Sequence, residues 1–79
     1  MREEEIYERL TEIFQDVFDD DDITISAKTT AEDIEDWDSL THITLVSTVE
    51  NEFGMHFTMG EVSTMKNVGE MVGIIAART

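Results

Sequence analysis

Trp37-Asp38-Ser39-Leu40 closes an acidic, irregular stretch of the chain and opens an amphipathic helical pattern. Aspartate just before a helix is a favoured N-cap, because its carboxylate accepts from the unpaired backbone N–H groups of the first turn. With Asp38 in that role, Ser39 stands in the first turn, hydroxyl outward, at the positive end of the helix dipole. A phosphate ester on a hydroxyl is well tolerated at such a place. No other residue is better suited to chemistry, so Ser39 is the focus of the functional reading.

The helix that Asp38 opens is expected to run to about Phe53. Leu40, Ile43, Val46, Val49 and Phe53 recur as one apolar stripe, which Leu45 widens. Leu40 and Ile43 belong to that stripe at the end where a partner could also touch them. Gly54 suits the C-cap, since glycine enters the left-handed conformation without penalty. Met55-His56-Phe57 then leads to a short helical turn around Gly60 to Met65, with Thr58 as its cap. Asn67 caps a last helix whose inner face is Val68, Met71, Val72 and Ile75. Gly69 and Gly73 weaken this helix and make it depend on packing.

Before Asp38, the segment from Ile23 to Trp37 is a long connection. Ile23 and Ile25 are spaced as in a strand, but a lone strand has no partner in the chain, so an ordered loop is expected. Thr30 to Ile34 can make one helical turn capped by Thr30, and Ile34 and Trp37 anchor the loop to the core. Loops this long inside a small domain are often functional. Upstream, Ile6, Leu10, Ile13, Phe14 and Val17 mark a first helix from about Glu3 to Phe18. Asp19 to Asp22 end it, since repelling negative charges are unfavourable at a helix C-terminus. The expectation is an all-α, four-helix bundle with a long loop between the first two helices and a short third helix. One domain spans residues 1–79.

Seventy-nine residues give a thin core. The absence of cysteine removes disulfides and thiolate metal sites, and a reducing, cytoplasmic compartment is expected. No apolar run follows Met1-Arg2-Glu3-Glu4-Glu5, so no signal peptide is read there, and no stretch approaches a membrane span. The formal net charge of -14 argues against nucleic acid, whose phosphates need a basic footprint, and favours basic protein surfaces as partners. All the acids except Glu50, Glu52, Glu61 and Glu70 lie at or before Asp38. Nothing calls for an obligate dimer, and a monomer is expected.

Asp19 to Asp22 lack the glycine and distal glutamate of a calcium loop, so no metal site is expected. His42 follows Ser39 by three residues, which invites a hydrolase reading. The chain lacks a nucleophile elbow, a third member and the length to shape a pocket, so no catalytic residue is assigned. His42 is instead read as a solvated residue of the helix face, able to contact a partner or a phosphate on Ser39. His56 is read as without function. Trp37 either clamps the loop to the core or forms part of a docking surface. Met55, Met59, Met65 and Met71 are read first as adaptable core filler.

Asp38-Ser39-Leu40, the helix that follows with Glu50 and Glu52-Phe53-Gly54, and the closing Asn67-Val68-Gly69-Glu70-Met71 together resemble an acyl carrier protein. The resemblance covers essentially the whole chain. It implies that Ser39 carries a phosphopantetheine arm, transferred from coenzyme A by a phosphopantetheinyl transferase, with Asp38 and Leu40 supporting the attachment site. The arm's thiol holds acyl groups as thioesters, and the methionines become possible lining for such a group. Implied partners are acyl-activating, acyltransferase and synthase enzymes with basic docking patches. The docking candidates are Glu35, Asp36, Trp37, Thr41, His42, Ile43, Thr44 and Glu50.

Carriers of fatty-acid synthesis show several acids outward on the helix after the serine. Here Thr41, Thr44, Ser47, Thr48 and Asn51 occupy those positions, and acidity has moved to Glu32, Asp33, Glu35 and Asp36 in the loop. With Trp37 before the serine and His42-Ile43 after it, the chain looks more like a stand-alone carrier of a specialised fatty-acid, polyketide or related pathway. The alternative is a carrier-like acidic module, never modified, that binds and regulates a partner enzyme.

Overall fold

The computed structural model describes residues 1–79 as an all-helical fold with the expected order: α1 (Glu3–Val17), α2 (Ser39–Phe53), α3 (Met59–Thr64) and α4 (Val68–Arg78). No helix is long and apolar enough to cross a membrane. α1 buries Ile6, Leu10, Ile13 and Phe14, α2 buries Leu45, Val46, Val49 and Phe53, and α4 buries Val68, Met71, Val72 and Ile75. Phe18, Ile23 and Met55 close the core from the connections. α3 buries nothing and is held from outside.

α1 stops where the aspartates begin. Asp19 adopts a left-handed φ of 50°, a conformation that Asp tolerates better than most residues. The loop that follows is ordered and contains no strand. Asp33 N–H donates to the Thr30 carbonyl at 3.0 Å, and Thr30 N–H donates to the Asp33 carboxylate at 2.9 Å. That closed pair makes a turn around Thr30, which does not extend into a helix.

The loop crosses the start of α4. Val68 N–H donates to the Thr29 carbonyl at 2.9 Å, and Gly69 N–H donates to the Ala27 carbonyl at 3.0 Å. Two of the four orphan donors of α4 are thereby satisfied by loop backbone. A Cβ at position 69 would lie 2.9 Å from the Ala27 oxygen, so this approach requires glycine. Gly69 therefore does more than weaken its helix: it lets the loop dock. Gly73 has nothing within 4 Å of where its Cβ would be.

Leu40 and Ile43 are not in the core. They are 77% and 63% exposed, and the buried stripe of α2 begins at Leu45 and Val46. Helical steps of three fall short of a full turn, so a run of them drifts about 60° per step around the helix. Extending the stripe back from Phe53, Val49 and Leu45 by proper turns reaches His42 instead. Among the methionines, Met55 and Met71 are buried and Met65 is half-buried, but Met59 is 88% exposed at the start of α3 and fills no core.

Candidate functional site

Asp38 caps α2 as its sequence demands. One carboxylate oxygen accepts from Leu40 N–H at 2.9 Å and Thr41 N–H at 3.0 Å. Asp38 N–H in turn donates to the Thr41 hydroxyl at 2.8 Å, which completes a capping box. The backbone N–H of Thr41, first among these contacts, and that of Leu40 hold the Asp38 carboxyl below its ordinary value. The hydroxyl of Thr41 also donates to the Asp36 carbonyl at 2.8 Å. Thr41 thus fixes the entry to α2 and is half-buried, so its hydroxyl is not a free docking group.

Ser39 lies between these capping groups, exposed, with its hydroxyl outside every hydrogen bond of the cap. The Asp38 carboxylate already occupies the N–H groups of Leu40 and Thr41. An anion carried on Ser39 would meet the Ser39 N–H and the positive helix end rather than three vacant donors. The serine opens onto a cleft of about 520 Å³ between the loop, α2, α3 and the start of α4. Ala31, Trp37, Asp38 and His42 line it on one side, and Val62, Ser63, Met65, Lys66, Asn67 and Met71 on the other. An exposed hydroxyl beside a groove with a lysine on its wall suits a phosphate ester followed by a flexible chain.

His42 is half-buried and not a solvated helix-face residue. Its Nδ1 receives the indole N–H of Trp37 at 3.0 Å, and its Nε2 lies 3.3 Å from the Val62 carbonyl in α3. The two rings are nearly coplanar, inclined by 25° with centroids 6.0 Å apart, so they meet edge to edge. Trp37 also stands edge-on to Phe14, with centroids 5.3 Å apart, and packs on Phe18. Trp37 clamps the loop to the core.

Glu50 is also committed within the fold. Its carboxylate accepts Phe57 N–H at 2.8 Å, beside His56, and so stabilises the turn into α3. Glu35, Asp36, Leu40, Ile43 and Thr44 are exposed around Ser39. Sequence reasoning missed the ion pair of Arg78 with Glu61, bidentate with both contacts at 2.6 Å, which ties the end of α4 to α3. Thr58 was read as the local cap, but nothing local announces a partner from the far end of the chain. No cluster of carboxylate and imidazole groups is arranged to hold a metal ion.

A family model described as a phosphopantetheine attachment site matches residues 8–75. The solution structure of a holo acyl carrier protein from Geobacter metallireducens is similar, with a TM-score of 0.85 and 39% identity, covering 90% of this chain and 82% of that one. A protein described as a candidate acyl carrier protein from Mycobacterium tuberculosis shares the fold, with a TM-score of 0.82, at 23% identity, over 92% of this chain and 97% of that one. No curated protein matches in sequence. The match over most of the length, with the helical fold and the cleft-side serine, places this chain among the acyl carrier proteins, whose prosthetic group is covalently attached phosphopantetheine.

Proposed function

We propose that the chain is a stand-alone, non-catalytic acyl carrier whose phosphopantetheine is attached through Ser39. The observation that carries this reading is the exposed, unengaged hydroxyl in the first turn of α2, at the mouth of the cleft. A phosphopantetheinyl transferase is the inferred first partner. In its active site the Ser39 oxygen loses its proton and bonds to phosphorus, and the nucleotide half of coenzyme A leaves. Once bound, the group supplies the thiol on which acyl cargo rides as a thioester.

The roles of the neighbouring residues follow from their contacts. Asp38 and Thr41 fix the backbone so that Ser39 points outward, and Leu40 presents apolar surface beside it. Lys66 places positive charge on the wall of the cleft. A carrier lowers no barrier itself: tethering replaces free diffusion of the substrate with a high effective concentration at each enzyme. The exposed acids Glu35 and Asp36 and the apolar Ile43 form the docking surface for basic partner enzymes. Thr44, Ser47 and Asn51 leave the outward face of α2 nearly uncharged. This pattern supports a specialised fatty-acid, polyketide or related pathway, and the lack of cysteine supports a reducing, cytoplasmic setting for it.

Peptide mapping tests the assignment. After incubation with coenzyme A, magnesium and a promiscuous transferase, the added group is expected on the peptide containing Ser39 and nowhere else. Its appearance on another residue would overturn the site. An unmodified but folded chain would return the alternative of an acidic module that regulates a partner without carrying cargo.

A further inference from the structure

On the loop side of the cleft beside Ser39, the indole N–H of Trp37 donates to Nδ1 of His42. An indole N–H can only donate, so Nδ1 must be the acceptor and the ring proton resides on Nε2. There it faces the Val62 carbonyl. The neutral imidazole therefore bridges the loop and α3 across the first turn of α2. We propose that His42 is a positioning residue for the Ser39 cleft, holding Trp37 when neutral and letting it go when protonated.

The chemistry of the ring gives the direction. The imidazolium carries N–H on both nitrogens, so Nδ1–H would confront the indole N–H with no acceptor between them. The Nε2–H contact to Val62 survives, so the change is confined to the loop side. Imidazole is the side chain whose charge changes between about pH 8 and 5. The other charged groups around the cleft are Asp38 and Lys66. The Asp38 carboxylate is occupied by the helix N–H groups. On α3, Glu61 is paired with Arg78, and Trp37 meets the uncharged rings of Phe14 in α1 and Phe18 just beyond it. The consequence for a bound arm rests on Ser39 being its attachment point, whereas the tie itself does not.

Trp37 is the only tryptophan, so the unmodified protein gives a single indole N–H resonance. Lowering the pH from about 8 to 5 should shift that resonance upfield with the midpoint of the His42 ring protons, and move the Ser39 and Ser63 amides with it. His42→Asn keeps an acceptor near Nδ1 but gains no proton, so its indole resonance should stay hydrogen-bonded and pH-independent. His56→Asn should behave as wild type. An indole resonance that stays still while the His42 ring titrates overturns the proposal. So does one that moves equally in His42→Asn, follows His56, or moves without the Ser39 and Ser63 amides. If His42→Asn does not fold, the titration of the wild type and His56→Asn decides alone. Because the protein is unmodified throughout, failure here is separate from failure of Ser39 to accept the arm.

Discussion

At Gly69 and Gly73 the same substitution has opposite consequences. Alanine is favoured over glycine within a helix by about 1 kcal/mol. At Gly73 nothing stands in the way, so Gly73→Ala should raise stability by roughly 0.5–1 kcal/mol. At Gly69 the new methyl would press on the Ala27 backbone at 2.9 Å, and backbone does not yield as a flexible side chain does. Overpacking of this kind costs about 1–3 kcal/mol, which exceeds the propensity gain. Gly69→Ala should therefore destabilise, as read by denaturant midpoints of the two variants. Equal stabilisation of both would contradict the loop docking. Residue roles set by adjacent chain, such as Asp38 as cap and Gly54 as C-cap, were legible in the sequence because their partners lie within a few positions. The commitments of Gly69, Glu50 and His42 depend on segments that only folding brings near. His42 had one usable signal, its place on the buried stripe of α2 counted back from Phe53. A histidine there was read as solvated because its partners, Trp37 and Val62, were out of sight.

At the scale of the element, α3 is the least secured part of the fold. It buries no residue and is held by its own capping box, by His42 on Val62 and by Arg78 on Glu61. The Arg78 guanidinium, aided by Thr58 N–H, pulls the Glu61 carboxyl from 4.5 down to about 2. A lowered folded-state value means that the ionised carboxylate stabilises the fold above the ordinary carboxylate range. That contribution fades as pH falls from about 4.5 towards 2. Amide exchange should show α3 losing protection across this window before α1 and α4. Arg78→Ala should loosen α3 already at neutral pH and flatten the acid dependence attributable to Glu61. Unchanged α3 protection in that variant would show that the pair does not hold the helix. The existence of α3 was legible from Thr58 as its cap, and its tether from Arg78 was not, because a surface ion pair leaves no periodic trace.

The whole molecule carries a net charge of -14, crowded into α1 and the loop before Ser39. Salt bridges relieve little of it, since Arg2–Glu5 and Arg9–Glu52 lie in exposed settings. Self-repulsion within about a Debye length should be relieved by screening, so the melting temperature should rise from low to moderate ionic strength. A flat response would show that the charges are too dispersed to matter. The overall architecture was legible because each long helix writes its buried face at helical spacing: the inner face of α4 is the set its sequence names, and α1 buries Ile6, Leu10, Ile13 and Phe14 of its expected stripe, with Val17 half-buried at the end. As Met59 did at the start of α3, Leu40 and Ile43 misled in the opening turns of α2, because they serve the surface. That exposed turn, with Ser39 between the cap and the cleft, is what the carrier reading depends on.

The most direct test is the intact mass of wild type and Ser39→Ala after incubation with coenzyme A, magnesium and a promiscuous phosphopantetheinyl transferase, with both proteins shown folded by circular dichroism. The account predicts a gain of one phosphopantetheine group on wild type and none on Ser39→Ala. A gain on both, or on neither, would contradict it.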